Sequence, residues 1–264
     1  MDKSLFSVLE DAQVVAIVCN QWGDTGKGKI VNYLAKEWAD VVARGNGGNN
    51  AGHTVVLNNE EVILHLIPCG IFNPDVYNII GPGTVIDPFV LLEEINTLKN
   101  KGVKVDKLRI SGYASVITPL HIVADCYNKK IGTTGRGVGP AYRDRAGRNN
   151  IRINDLMNPD VLKERLSRLC DSYSFDPESL ERISGHPVVG RFITQGKICL
   201  EAMIENLIEV GKEISPFVCD VSKKMYEFLK SGKRIVVEGA QGLLLGVEEG
   251  TYPYVTSSCC GALH

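Results

Sequence analysis

No apolar run in the chain approaches the ~20 residues that a helix needs to cross a bilayer. The N-terminal MDKSLFSVLEDAQ has no long apolar centre and no small-residue cleavage site, so it does not read as a secretory signal. A basic surplus is also missing: 29 Lys and Arg stand against 31 Asp and Glu, a net charge of −2. Nucleic-acid binders usually carry a basic excess or stripe, and this balance argues against that class. The eight cysteines, at 19, 69, 126, 170, 199, 219, 259 and 260, contain no CxxC pair and no Cys/His cluster at zinc spacing. With 44% hydrophobic residues the chain has core enough without a disulfide scaffold. Most of its thiols are expected to be reduced core residues of a cytoplasmic protein. Internal repeats and low-complexity linkers are absent as well.

What is present is ordinary globular composition over 264 residues, enough to bury a substantial core. Val14 to Cys19 is a continuous apolar run that reads as a buried strand. A glycine-rich turn follows, and then Ile30, Leu34 and Trp38 recur at helical spacing. Val41 to Ala43 reads as the next strand, and Val55–Leu57 with Val62–Ile67 as a hairpin around Asn58-Asn59. Ile79-Ile80 is a short strand. Asp87-Pro88 supplies a cap and first-turn proline for a helix carrying Val90, Leu91, Ile95 and Leu98, with Gly102 as its stop. Thr118-Pro119 starts a further helix in the same way. From about 158 to 232 the pattern is mainly helical, with Leu162, Leu166 and Leu169 on one face and Ile204 and Ile208 on another. Arg234 to Val237 returns to strand. The alternation predicts an α/β fold: one domain over 1–264, a mostly parallel central sheet with helices on both faces, and a helical subregion at about 158–232.

Three polar loops carry the chemistry. The first, Gln21 to Lys29, places Gly23, Gly26 and Gly28 between a strand and a helix, where backbone N–H groups and lysines can hold phosphate oxygens. Its spacing resembles the phosphate loop G-x-x-x-x-G-K-[ST], but Ile30 stands where a magnesium-binding hydroxyl belongs. Asp24 inside the loop is then the natural metal ligand or base. The second, Gly45 to Thr54, is rich in glycine and asparagine and brings His53, a candidate acid near neutral pH. The third, Ile131 to Pro140, offers hydroxyls and N–H groups, with Arg143, Arg145, Arg148 and Arg152 close behind. Three anion-competent loops suit phosphoryl transfer between a nucleoside triphosphate and a nucleotide.

QWGDTGKGK, GGNNAGHT, LHLIP, IGTTGRGVGPAY, EGAQG and GTYPYVTSS occur in this order. They are similar to signatures of the adenylosuccinate synthetase family, and the resemblance spans about residues 14 to 258. It implies a P-loop-like GTP-binding fold and a carbon–nitrogen ligase of AMP biosynthesis. Such an enzyme joins IMP and L-aspartate into adenylosuccinate through 6-phosphoryl-IMP, with GTP as co-substrate and Mg²⁺ as cofactor. By resemblance the catalytic residues are Asp24, which takes the N1 proton of IMP, His53, which assists transfer to O6, and Lys27. The metal ligands are Asp24 and Gly52.

GTP contacts fall on Gly23, Asp24, Thr25, Gly26, Lys27, Gly28 and Lys29, and on Gly52, His53 and Thr54. IMP contacts fall on Asp24, Thr25, Gly26 and Lys27, then on Asn50, Ala51, Gly52 and His53, and finally on Thr134, Arg148, Gln241 and Thr256. Arg148 matches an arginine that reaches into a neighbouring subunit, which implies a homodimer. Thr25 replaces an acidic residue usual in the family, and altered affinity rather than lost chemistry is expected from that. Family members continue beyond His264 with an aspartate-binding loop and a guanine-recognising segment, so a truncated member is expected. The alternatives are a catalytically silent nucleotide-binding fragment and a family variant using another purine nucleotide, such as a deoxyguanylate.

Overall fold

The protein is described from a computed structural model, which covers residues 9–57, 60–127 and 132–262. The expected Asn58-Asn59 turn, and Ile131 at the start of the third loop, lie outside the described residues. The chain opens with β1 (Val14–Cys19), α1 (Lys27–Glu37) and β2 (Val41–Arg44), then an antiparallel pair, β3 (His53–Leu57) and β4 (Glu60–Leu64). There follow β5 (Tyr77–Ile80), β6 (Val85–Ile86), α2 (Pro88–Asn100), β7 (Leu108–Ser111) and β8 (Ser115–Val116). Next come α3 (Pro119–Tyr127), α4 (Val138–Ala146), α5 (Pro159–Asp171) and α6 (Pro177–Arg182). A small hairpin, β9 (Ile193–Thr194) and β10 (Lys197–Ile198), precedes α7 (Leu200–Ile214), β11 (Val218–Cys219), α8 (Val221–Lys230) and β12 (Ile235–Gly242).

Six strands form one parallel sheet in the order β1-β12-β2-β5-β7-β11. Side chains alternate across it, as the period of a strand requires. Val42, Ile80 and Val236 face a large core with Leu34, Leu98, Leu166 and Leu207 from the helices on that side. Their neighbours Val41, Ile79 and Ile235 face a smaller core closed by Val221 and Phe228 of α8. Both faces are thus covered, and the apolar runs of the strands follow from that. Each fully buried Leu or Ile contributes roughly 1.5–3 kcal/mol.

The helix punctuation read from the sequence is in place. Asp87 accepts hydrogen bonds from the Phe89 and Val90 N–H groups at 3.0 and 3.3 Å, and Gly102 has the positive φ of a helix stop. Two expected faces are corrected. In α1 the buried apolar residues are Val31, Leu34 and Ala35, with Trp38 just beyond its end. Leu34 and Trp38 are thus buried as expected, whereas Ile30 is half exposed, because only one stripe of the helix meets the sheet. In α7 the buried stripe is Met203, Leu207, Val210 and Ile214, one position off Ile204 and Ile208, which are only partly buried. The stretch 158–232 holds α5 to α8 but also β11, the outer strand of the main sheet. Two residues are too short a run to announce a strand in sequence. Among the described residues no helix is long and apolar enough to cross a membrane.

β12, last in the chain, lies between β1 and β2. The segments that leave β1, β2 and β12 therefore depart from neighbouring strand ends. In an open parallel sheet this is where a crevice forms and ligands bind.

Candidate active site

The first loop turns the chain from β1 into α1 through left-handed backbone at Gly23, Asp24 and Gly26, with φ of 113, 49 and 83°. Glycine takes such angles freely and Asp is among the few side chains that tolerate them. Gly26 is the N-cap of α1 and no side chain caps it, so the first N–H groups of the helix remain available to an anion. The Lys27 side chain is buried beside them. The thiol of Cys19, at the end of β1, braces the loop by accepting from Gln21 N–H at 3.3 Å and from the Thr25 hydroxyl. The loop also meets the end of β12: a Cβ on Gly242 would lie 2.1 Å from the Gln21 carbonyl oxygen, so only glycine allows this approach.

The second loop is organised by a buried cation. Arg44 ends β2 only 1% exposed. Its guanidinium donates to the carbonyls of His65 at 2.5 Å, Gly48 at 2.9 Å and Asn46 at 3.4 Å. Tyr142 Oη accepts from Gly47 N–H at 2.8 Å and donates to the Gly83 carbonyl at 2.9 Å. Arg136 donates to the Asn49 carbonyl, and Asn46 Nδ2 to the Cys259 carbonyl at 2.6 Å. Burial pushes the Arg44 guanidinium below its ordinary pKa, and the Glu238 and Glu94 carboxyls oppose that shift.

This scaffold delivers His53 to the cavity wall. His53 Nδ1 is hydrogen bonded to Glu238 Oε1, and Nε2 faces the Ala240 carbonyl at 3.3 Å. Glu238 Oε2 accepts from Cys69 N–H at 2.8 Å. Burial would raise the Glu238 pKa. The hydrogen bond and charge of His53, the charge of Arg44 and the Cys69 N–H outweigh it and hold the carboxyl below its ordinary value. Glu94 fares differently: burial pushes it up to about 7 although it accepts from the N–H groups of Leu66, Ile67 and His65.

Two adjoining cavities result. One, of about 480 Å³, is lined by residues 22–29 together with Asn50, Gly52, His53, Thr54, Ala240 and Gln241. The other, of about 530 Å³, shares Asn50 and Gln241 with the first and adds Asp125, Thr134, Arg143 and Thr256. Asp125 sets the third loop by accepting from Thr133 Oγ1 at 2.6 Å and Gly137 N–H at 2.9 Å. Asn50 Nδ2 donates to Thr256 Oγ1 at 3.3 Å, while its Oδ1 is buried with no partner in the chain. A buried acceptor of this kind calls for a donor from a ligand. A third cavity of about 500 Å³, between β4 and α2, contains no residue of the first loop.

Of the expected site residues, Gly23 to Lys29, Asn50, Gly52, His53, Thr54, Thr134, Gln241 and Thr256 line these two adjoining cavities. Ala51 is buried, its carbonyl 2.5 Å from His65 Nδ1. Arg148 is not brought to either cavity by its own chain; it is exposed, with φ of 59°, just beyond α4. Sequence reading missed Arg44, Glu238 and Asp125 as supports. The available signal was a carboxylate inside the apolar strand Ile235–Gly242, which a buried strand tolerates only with a partner. Asp24 and Gly52 both line the first cavity, and a carboxylate with a main-chain carbonyl is an all-oxygen set of the kind Mg²⁺ takes.

A glycine-rich loop that runs from a strand into a helix N-terminus beside the switch point of a parallel sheet defines the class: an α/β protein with a P-loop-like fold. Within that class, the chain belongs to the adenylosuccinate synthetase family, whose sequence model matches residues 16–264. It is 43% identical to the adenylosuccinate synthetase of Geobacillus sp. (strain WCH70) over 250 residues, 92% of this chain and 55% of that protein. With the Clostridium novyi (strain NT) adenylosuccinate synthetase it shares 45% over 246 residues, 90% of this chain and 54% of that one. The chain spans about half the length of the curated relatives it matches.

Among solved structures it resembles the fully ligated adenylosuccinate synthetase of Plasmodium falciparum. The TM-score is 0.79 and the identity 33%, over 94% of this chain and 56% of that one. It also resembles the succinoaminodeoxyadenylate synthetase of cyanophage S-2L bound to dGMP and dATP. There the TM-score is 0.61 and the identity 25%, over 94% of this chain and 57% of that one.

Proposed function

We propose that the chain carries the nucleotide-activating site of a GTP-dependent ligase that joins IMP and L-aspartate into adenylosuccinate, in the cytoplasm. The observation that carries this reading is the convergence of Asp24, Lys27 and His53 on one cavity, adjoining a second through Asn50 and Gln241. Oxide is a poor leaving group from C6 of IMP, whereas phosphate is displaceable by an amine. The site must therefore build negative charge on O6 and stabilise it during transfer. Asp24 takes the N1 proton. The N–H groups at the start of α1 and the Lys27 ammonium stabilise the phosphoryl oxygens. His53, oriented by Glu238, donates to the developing charge. Mg²⁺ bound by Asp24 and the Gly52 carbonyl supplies charge screening for the triphosphate. Thr134, Thr256 and Asn50 bind the nucleotide that accepts the phosphoryl group. Arg148 serves the site of a partner subunit in a homodimer.

Adenylosuccinate formation by the purified chain with IMP, GTP, Mg²⁺ and L-aspartate tests this, with Asp24→Asn as control. We expect turnover that the variant lowers by about 10²–10⁴-fold. Equal turnover in the variant would remove Asp24 from its role, and nucleotide binding without product would reduce the proposal to binding alone. The likeness to the phage enzyme favours one second reading, a deoxyguanylate as acceptor. Competition between dGMP and IMP for the same cavity separates the two.

A further inference from the structure

Beneath the phosphate loop, His53, Cys69 and Glu238 each offer one ligand atom within 4.8 Å of the others, and all three residues are buried. We propose that these three side chains form a binding site for a soft divalent cation, Zn²⁺ or Cd²⁺, distinct from the oxygen donors Asp24 and Gly52. The proposal concerns binding and stands whether or not the chain turns over IMP.

The donor chemistry separates the two sites. Imidazole nitrogen, thiolate sulfur and carboxylate oxygen are the ligands that Zn²⁺ and its softer relatives select. Mg²⁺ takes oxygen donors and keeps much of its water. The surroundings already orient each donor as outer-shell partners do in metal sites. The Ala240 carbonyl, 3.3 Å from His53 Nε2, leaves Nδ1 turned to the cluster. Cys69 N–H holds Glu238 Oε2 at 2.8 Å, which leaves Oε1 as the metal-facing oxygen.

A metal binds the thiolate and the carboxylate, so coordination releases the thiol proton to solvent. Gly28 packs directly against the cluster: a Cβ there would lie 3.0 Å from Cys69 Sγ and 3.1 Å from His53 Cβ, so glycine is what lets the loop approach this closely. Of the three donors, His53 lines the first cavity, the side from which an ion would enter. Three protein donors leave the fourth tetrahedral position to water. An ion so placed occupies the imidazole that the proposed reaction uses as its acid, and excess Mg²⁺ will not displace it.

The test is a Cd²⁺ titration of the full chain, read by the near-ultraviolet charge-transfer absorbance of a cadmium thiolate, in excess Mg²⁺. We expect a saturating rise at one equivalent that is lost in Cys69→Ser and survives in the Cys259→Ser/Cys260→Ser double variant. Glu238→Gln should weaken the binding about tenfold or more. A band that persists in Cys69→Ser, disappears in the double variant or is abolished by Mg²⁺ would overturn the site. Should Cys69→Ser fail to fold, Co²⁺ binding to His53→Asn decides. Loss of the tetrahedral visible bands seen with the native chain supports the site, and unchanged bands refute it.

Discussion

The first and second loops line the same cavity yet are held in different ways. The first is braced largely by its near neighbours: Cys19 Sγ accepts from Gln21 N–H two residues on, and Lys29 N–H donates to the Gly26 carbonyl at 3.0 Å. Its left-handed residues announce themselves as glycine, with Asp24 the one exception. The second is held from afar. Arg44 reaches His65, 21 residues away, and Gly47 pairs with Tyr142, 95 residues away. Asn46 meets Cys259 across 213 residues. A loop closed by local geometry can be read as a motif. One templated by buried side chains has a shape that no short window of sequence contains.

That contrast is open to experiment. Replacing Arg44 by Met should give the largest effect, because it removes a buried charge that helps hold the Glu238 carboxylate and three carbonyl contacts, two of them in the second loop and one at His65. A loss of about 3–5 kcal/mol in unfolding free energy is expected by denaturant titration. A loss under about 1 kcal/mol would show that the second loop holds its own shape, and the comparison would fail.

The next effect is a pH dependence. Glu94 is pushed up from its ordinary 4.5 to about 7 by burial, so it binds its proton more tightly folded than unfolded. The stability it contributes is full below about pH 4.5 and is lost as pH rises through about 7. Thermal unfolding at a series of pH values should show a decline on the order of 1–3 kcal/mol over this window, flattened in Glu94→Gln. The same slope in the variant would assign it to another group. The smallest change is expected in the first loop: Asp24→Asn should alter stability by no more than about 0.5 kcal/mol, since Asn also tolerates positive φ. A larger loss by calorimetry would mean that Asp24 props the loop as well as acting in it.

Other parts of the molecule repeat the lesson. The strand Val14–Cys19 and the cap at Asp87 were legible because propensity, apolar run and capping chemistry lie within a few residues of one another. The expected burial of that strand is corrected: β1 ends the sheet order and only Cys19 is buried in it. On the face expected for α1, Leu34 and Trp38 are buried and only Ile30 is not, because Ile30 and Val31 are equally apolar and only the position of the sheet chooses between them. His53 stood out in its polar loop, whereas its partner Glu238 is 185 residues away inside a strand. The spacing of the cysteines excludes a zinc motif in sequence, yet Cys69 comes to lie beside His53 and Glu238 in space.

What the sequence determined by itself was therefore local and ordered: the alternation of strands and helices, the glycine turn into α1, and the succession of motifs that marks the family. Its apolar periods and backbone-permissive residues act over a turn of helix or a strand's length, and that is the range over which they can be read. The tertiary structure decided the rest. It set β12 between β1 and β2, brought three distant loops to one crevice, and enclosed Arg44, Glu238 and His53 in one buried group. Buried charges are stable only with partners, and the partners here are supplied by the packing of distant strands rather than by any neighbour in the chain.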